Sequence, residues 1–186
     1  MKVRWLSSKE CVTALISHLE EYRGFFNEQK VLAKDQNTKK KATAISKVLN
    51  DHYLCGYFYF LQDFLTTLGR FNALFQAKRP LPHLLYEKLN GVRGVLEGYI
   101  SFRGVRYQKA DASKCRFGPT FKGFLAASAM GPELVTKLKE ACWSITVAAL
   151  EDLEARFPTE ELYQACEVVD PRKIAIYKND TAAAER

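Results

Sequence analysis

Residues 52–76 constrain the fold more than any other part of the chain. Tyr57, Leu61, Phe64, Leu65, Leu68, Phe71 and Phe75 recur at three- and four-residue steps, the period of an α-helix. The first half of this segment is apolar nearly all round, which places the helix in the middle of a bundle. Aromatic residues also favour strands, so Tyr53–Phe60 admits a β alternative. The unbroken helical period that follows argues against it. Gln62 and Asp63 interrupt the apolar run, which is too short to span a bilayer, so a soluble protein with no membrane partner is expected.

The same period recurs on both sides. Val12, Leu15, Ile16, Leu19, Tyr22 and Phe26 mark one face of a helix running to about Lys34. Ser7-Ser8-Lys9-Glu10 fits a capping box at its start. Asp35-Gln36-Asn37-Thr38 reads as a turn, followed by a short helix through Ile45, Val48 and Leu49 that pauses at Asn50-Asp51. Lys78-Arg79-Pro80-Leu81-Pro82 is a firm break. A helix from about Leu84 to Ile100 follows, with Gly91, Gly94 and Gly98 near one side, where they suggest close helix packing. Gly104 to Met130 is irregular, and Gly118-Pro119 and Gly123 mark loops in it. Gly131-Pro132-Glu133 opens a long helix with proline at its first position. Its buried stripe is Leu134, Leu138, Cys142, Ile145, Ala149 and Leu153, and Phe157-Pro158 ends it. A short helix around Glu160–Cys166 and a cap-plus-proline start at Asp170-Pro171 complete the pattern. No strand alternates with these helices, so no parallel sheet is indicated. The expectation is one all-α domain over residues 1–178, of about five long helices and several short ones, with a frayed tail at 179–186.

A chain of 186 residues with 47% hydrophobic and 26% charged side chains can bury a real core. The five cysteines are widely spaced and form no C-x-x-C, so neither a zinc site nor a disulfide framework is indicated. A reducing compartment follows. Phosphate-loop, dinucleotide-binding and nucleophile-elbow motifs are absent. The acidic pairs Glu20-Glu21, Glu151-Asp152 and Glu160-Glu161 are adjacent, so they point to different sides of a helix rather than at one substrate. No catalytic residue, metal, cofactor or small-molecule substrate is assigned.

The net charge of +7 favours acidic partners, with nucleic acid first. It concentrates in Gly98–Lys122, where Arg103, Arg106, Lys109, Lys114, Arg116 and Lys122 face one acid, Asp111. Tyr99, Phe102, Tyr107, Phe117 and Phe121 are interleaved. Cations neutralise phosphates and exposed rings stack on unpaired bases, which makes this a candidate DNA-binding segment. Alternatively, the rings anchor a long loop to the core and the cations keep it soluble. Trp5 is likewise either a core anchor or a stacking platform with Arg4 beside it. A protein partner or self-association through the aromatic loop is the rival to DNA.

Four segments carry a family resemblance. They are Arg4-Trp5-Leu6-Ser7, Lys39–Lys47, the stretch from Phe60-Leu61-Gln62-Asp63-Phe64-Leu65 through Leu74-Phe75-Gln76, and Asp170-Pro171-Arg172-Lys173. In order and spacing they resemble hAT-superfamily DNA transposases, and more specifically the vertebrate hAT-derived zinc-finger host proteins. The last segment is similar to the family's "LDPR" block, with Val169 where leucine is usual. In that family an RNase H-like core is interrupted by a large helical insertion, and this chain looks like most of that insertion. The resemblance implies an upstream half bearing two catalytic aspartates, a catalytic glutamate after the insertion, and zinc-binding fingers elsewhere. It therefore implies a domesticated-transposase fragment without nuclease activity, located in the nucleus. Asp63 and Asp170 are not assigned to the metal-holding acids. Trp5 matches the tryptophan that stacks on a flipped base in active transposases.

Overall fold

The computed structural model describes residues 4–75, 82–157, 160–166 and 170. Among them the chain is a bundle of helices with one minimal hairpin, so the all-α expectation holds. Helices α1 (Arg4–Ser17) and α2 (Leu19–Leu32) replace the single helix expected to reach Lys34. The break is slight: His18 leaves helical geometry at φ −115° and ψ 22°, while Tyr22 N–H still reaches its carbonyl at 2.9 Å. Its reason is packing, because α1 lies against α4 and α2 lies along α3. The capping-box expectation fails. Arg4 to Leu6 already belong to the helix, so Ser7 sits within its first turn and not before it.

The expected turn at Asp35–Thr38 is the start of α3 (Gln36–Leu49). Asp35 adopts extended geometry and its carboxylate accepts the Thr38 N–H at 2.7 Å, which satisfies one of the helix's orphan donors. That bond holds the Asp35 carboxyl below its usual value of 3.8. Helix α4 (His52–Phe75) runs through the middle, as its nearly all-round apolar first half requires, and the Tyr53–Phe60 segment is helical. It touches α1, α3, α5, α6 and α7. The break at 78–82 falls largely outside the described residues; α5 (Pro82–Ile100) opens at Pro82.

The three glycines of α5 do not serve close packing. Gly91, Gly94 and Gly98 are exposed, and a Cβ at any of them would meet nothing within 4 Å. The close approach occurs instead at Gly56 on α4, where a Cβ would collide with Leu138 and Phe124. After α5 come strands β1 (Ser101–Phe102) and β2 (Val105–Arg106), a 3₁₀ segment at Lys109–Lys114, and α6 (Pro119–Ala127). The Gly118-Pro119 loop signal is thus a helix start, with proline at the first helical position.

Helix α7 (Pro132–Arg156) starts where Gly131-Pro132 predicts. Its fully buried stripe is Leu138, Cys142, Thr146, Leu150 and Leu153, and Leu134 is exposed. The short α8 (Glu160–Ala165) packs against α5. Of the Asp170–Lys173 start only Asp170 is described, and it is buried; the tail at 179–186 lies outside the described residues. The main core joins α4, α5, α6 and α7 around Phe60, Phe64, Leu89, Leu96, Phe121 and Leu138. A smaller cluster of Leu19, Leu49 and Cys55 ties the α2–α3 pair to α4. None of these helices is long and apolar enough to cross a membrane.

Candidate nucleic-acid interface

The basic segment leaves α5 as a two-residue hairpin. Ser101 pairs with Arg106 and Phe102 with Val105. Arg103 and Gly104 form the tip at φ +50° and +81°. Positive φ at both central residues matches the type I′ turn, whose twist suits a two-residue hairpin. Glycine takes this conformation freely; arginine does so at a steric cost of about 1–2 kcal/mol. The turn therefore holds a cation at the hairpin tip in a geometry the residue does not favour.

The base of the hairpin is fixed by hydrogen bonds. Tyr107 N–H donates to Ile100 O at 2.8 Å, and Arg116 N–H donates to Tyr99 O at 2.9 Å. Trp143 Nε1 on α7 donates to Tyr107 O at 3.0 Å. Lys139 Nζ, also on α7, donates to Ser113 O at 2.6 Å and Cys115 O at 3.2 Å. Two α7 side chains thus hold a long irregular segment whose own sequence specifies little regular structure.

The aromatic rings divide unequally. Phe117 and Phe121 are buried and pack edge-on with centroids 5.5 Å apart. Phe60 meets Phe117 at 5.4 Å, and Tyr99 and Tyr107 are partly buried against the same cluster. These four rings anchor the segment to the core and are not available to stack on bases. Phe102 is the exception, 47% exposed on the hairpin. The Arg103 and Arg116 guanidinium groups both lie over it, at 5.2 and 5.7 Å from the ring centroid.

The cations also divide. Arg103, Lys109, Arg116 and Lys122 are exposed, and among the described residues none has a carboxylate within ion-pair distance. Arg106 sits on the other face of the hairpin and is clamped by Glu97, with Nε 3.3 Å from Oε2. That bond raises its pKa, and Glu154 and Glu151 add to the effect. Arg106 is therefore directed at acids of the protein itself and leaves the interface. Lys114 is held by Asp111 at 2.6 Å through an exposed pair of little energetic weight. Arg4 and Trp5 belong to the first turn of α1, and their side chains lie outside the described ones.

Two contributors were not legible locally. Phe102 was one of five interleaved rings, and nothing in the sequence marked it as the exposed one. Lys139 lies in a different helix, among ordinary surface lysines. Asp63, set aside as a metal ligand, has a structural task. It is buried on α4 and accepts Thr120 Oγ1 at 2.6 Å and the Phe121 N–H at 2.9 Å, which caps α6 from across the core. Among the described residues no three His, Cys, Asp or Glu side chains come together. No family model, curated protein or solved structure matches this chain.

Proposed function

We propose that the chain is an all-helical accessory domain of the hAT-transposase type, which holds DNA by its phosphate backbone in the nucleus and does no cleavage itself. The observation that carries this is the pair Arg103 and Arg116. Both are exposed, both lie over Phe102, and among the described residues neither has a carboxylate within ion-pair distance. Exposed cations without partners release DNA counterions at no loss of internal ion pairs, and this term dominates non-specific binding. Lys109 and Lys122 add to the same segment. Arg4 and Trp5 enter through the resemblance alone. Asp63 is committed to capping α6, so it is not offered as a metal ligand.

Fluorescence anisotropy with a labelled duplex and a labelled hairpin DNA at low salt tests this. Binding is expected in the range of non-specific contacts, with Kd of about 10⁻⁴–10⁻⁶ M at physiological salt and tighter below it. Arg103→Asn combined with Arg116→Gln should weaken it; asparagine tolerates the left-handed turn, so the hairpin is kept. Absence of binding to either DNA at low salt overturns the proposal.

A second reading, a helical protein-interaction module, is favoured by one observation. Tyr22, Phe25, Ile45 and Val48 on α2 and α3 are 38–53% exposed, so the helix pair presents apolar surface to solvent. A partner held there would show little dependence on salt.

A further inference from the structure

Beside the hairpin, the turn after the 3₁₀ segment, α6 and α7 form an open cavity of about 460 Å³. Three cations line it: Arg116, Lys122 and Lys139. Leu125 and the small exposed parts of Phe117 and Phe121 supply its apolar wall, and among the described residues no carboxylate lines it. The acids nearest in sequence are Glu140, which follows Lys139, and Asp111, which is already engaged by Lys114 at 2.6 Å.

Lys139 is the unusual member. It is only partly exposed, and burial lowers its pKa with no carboxylate to oppose the shift. Its ammonium gives two donors to Ser113 O and Cys115 O. An ammonium has three donors, so one remains. Partly buried charges in folded proteins are ordinarily paired, because desolvation penalises an isolated one. Among the described residues the ammonium is bonded to two carbonyl oxygens and to no carboxylate, beside two further cations and an apolar wall. The volume lies within the range of about 300–1,000 Å³ usual for small-ligand sites, and such sites combine apolar lining with a few convergent polar groups.

We infer that this cavity binds a small organic anion: one phosphate or carboxylate head group against Lys139, Arg116 and Lys122, with an apolar body resting on Leu125, above the buried rings of Phe117 and Phe121. The site is separate from the hairpin tip. Arg116 and Lys122 belong both to the cavity and to the DNA-binding segment, so an occupied cavity competes with DNA for these two cations.

Phenyl phosphate is the probe, with inorganic phosphate and phenol as its two halves, followed by amide chemical shifts of the purified chain. Phenyl phosphate should shift the amides of Phe117, Leu125 and Lys139 together. Inorganic phosphate should bind the same place at least fivefold more weakly, and phenol should leave it unshifted. Lys139→Gln should weaken phenyl phosphate about tenfold. Because Lys139 also holds the 3₁₀ segment, the exposed Lys122→Gln is the second variant, expected to weaken binding about threefold with the spectrum otherwise unchanged. Arg103→Asn should leave phenyl phosphate binding as it is while weakening DNA, which separates this site from the DNA proposal. Shifts confined to other regions overturn the inference, as does unchanged affinity in both lysine variants.

Discussion

Removing the Asp63 carboxylate should loosen α6 from the core, by an amount the structure allows to be worked out. Helix α6 begins at Pro119 after Gly118, so its own sequence supplies no capping side chain. Asp63 substitutes from α4, accepting the Phe121 N–H at 2.9 Å and Thr120 Oγ1 at 2.6 Å, and it is only 8% exposed. Loss of an N-cap costs about 0.5–2 kcal/mol. A buried donor left without a partner costs about 1–3 kcal/mol more. The two overlap, so Asp63→Ala should destabilise by about 2–4 kcal/mol. Asp63→Asn is nearly isosteric. Its amide oxygen can still accept from Phe121 N–H while its NH₂ faces a hydroxyl that can also accept. It loses the charge at the helix N-terminus, worth about 0.3–1 kcal/mol. With a urea m-value of about 2 kcal/mol/M, the alanine variant should lower the unfolding midpoint by about 1–2 M and the asparagine variant by less than about 0.5 M. Circular dichroism reads both midpoints. Gly118 sharpens the test, because a Cβ there would run into the Asp63 side chain. Gly118→Ala should therefore cost somewhat less in an Asp63→Ala background than alone, because Cγ and Oδ2 are gone while the Cβ at 2.5 Å stays, a steric coupling a double-mutant cycle detects. An alanine variant within about 0.5 kcal/mol of wild type refutes the capping argument, and strict additivity with Gly118→Ala refutes the steric one.

Other outcomes follow from the same coordinates. Gly94→Ala sits on an exposed helix face with open space around it, so it should raise stability by about 0.5–1 kcal/mol in the same urea assay. Cys55, Cys115 and Cys142 are buried, and burial pushes the Cys115 thiol up to about 11. Maleimide at neutral pH should therefore reach Cys11 and Cys166 in the native chain, and all five cysteines only after denaturation, as mass spectrometry would count. The Asp35 carboxyl is held below 3.8 by the Thr38 N–H, so its contribution to α3 is fully present above that value and is lost as pH falls through the lower folded pKa. An NMR titration should place its midpoint below 3.8, with the Thr38 amide moving in step.

The long helices were legible because periodic burial and breaker residues act locally. Helix α4 kept its place because its first half is apolar nearly all round, and α7 kept its start because proline at the first helical position loses no hydrogen bond. Other features were misjudged where a distant contact decides. The split at His18 comes from α1 and α2 having different packing partners. The glycines of α5 suggested a helix contact that Gly56 makes instead. The loop signal at Gly118-Pro119 is a helix start capped by Asp63, a residue far away in sequence. In the basic segment, charge density was readable but direction was not. Periodicity cannot tell that Arg106 turns toward Glu97 while Arg103 and Arg116 converge on Phe102.

The central claim is that unneutralised cations at the hairpin meet phosphates. Its most direct test is the salt dependence of duplex binding, wild type against the Arg103→Asn, Arg116→Gln double variant. Each phosphate contact contributes a slope of about 0.9 in log K against log salt, so the variant's slope should be shallower by about 2. An equal slope in both proteins, or affinity indifferent to salt, would contradict the account.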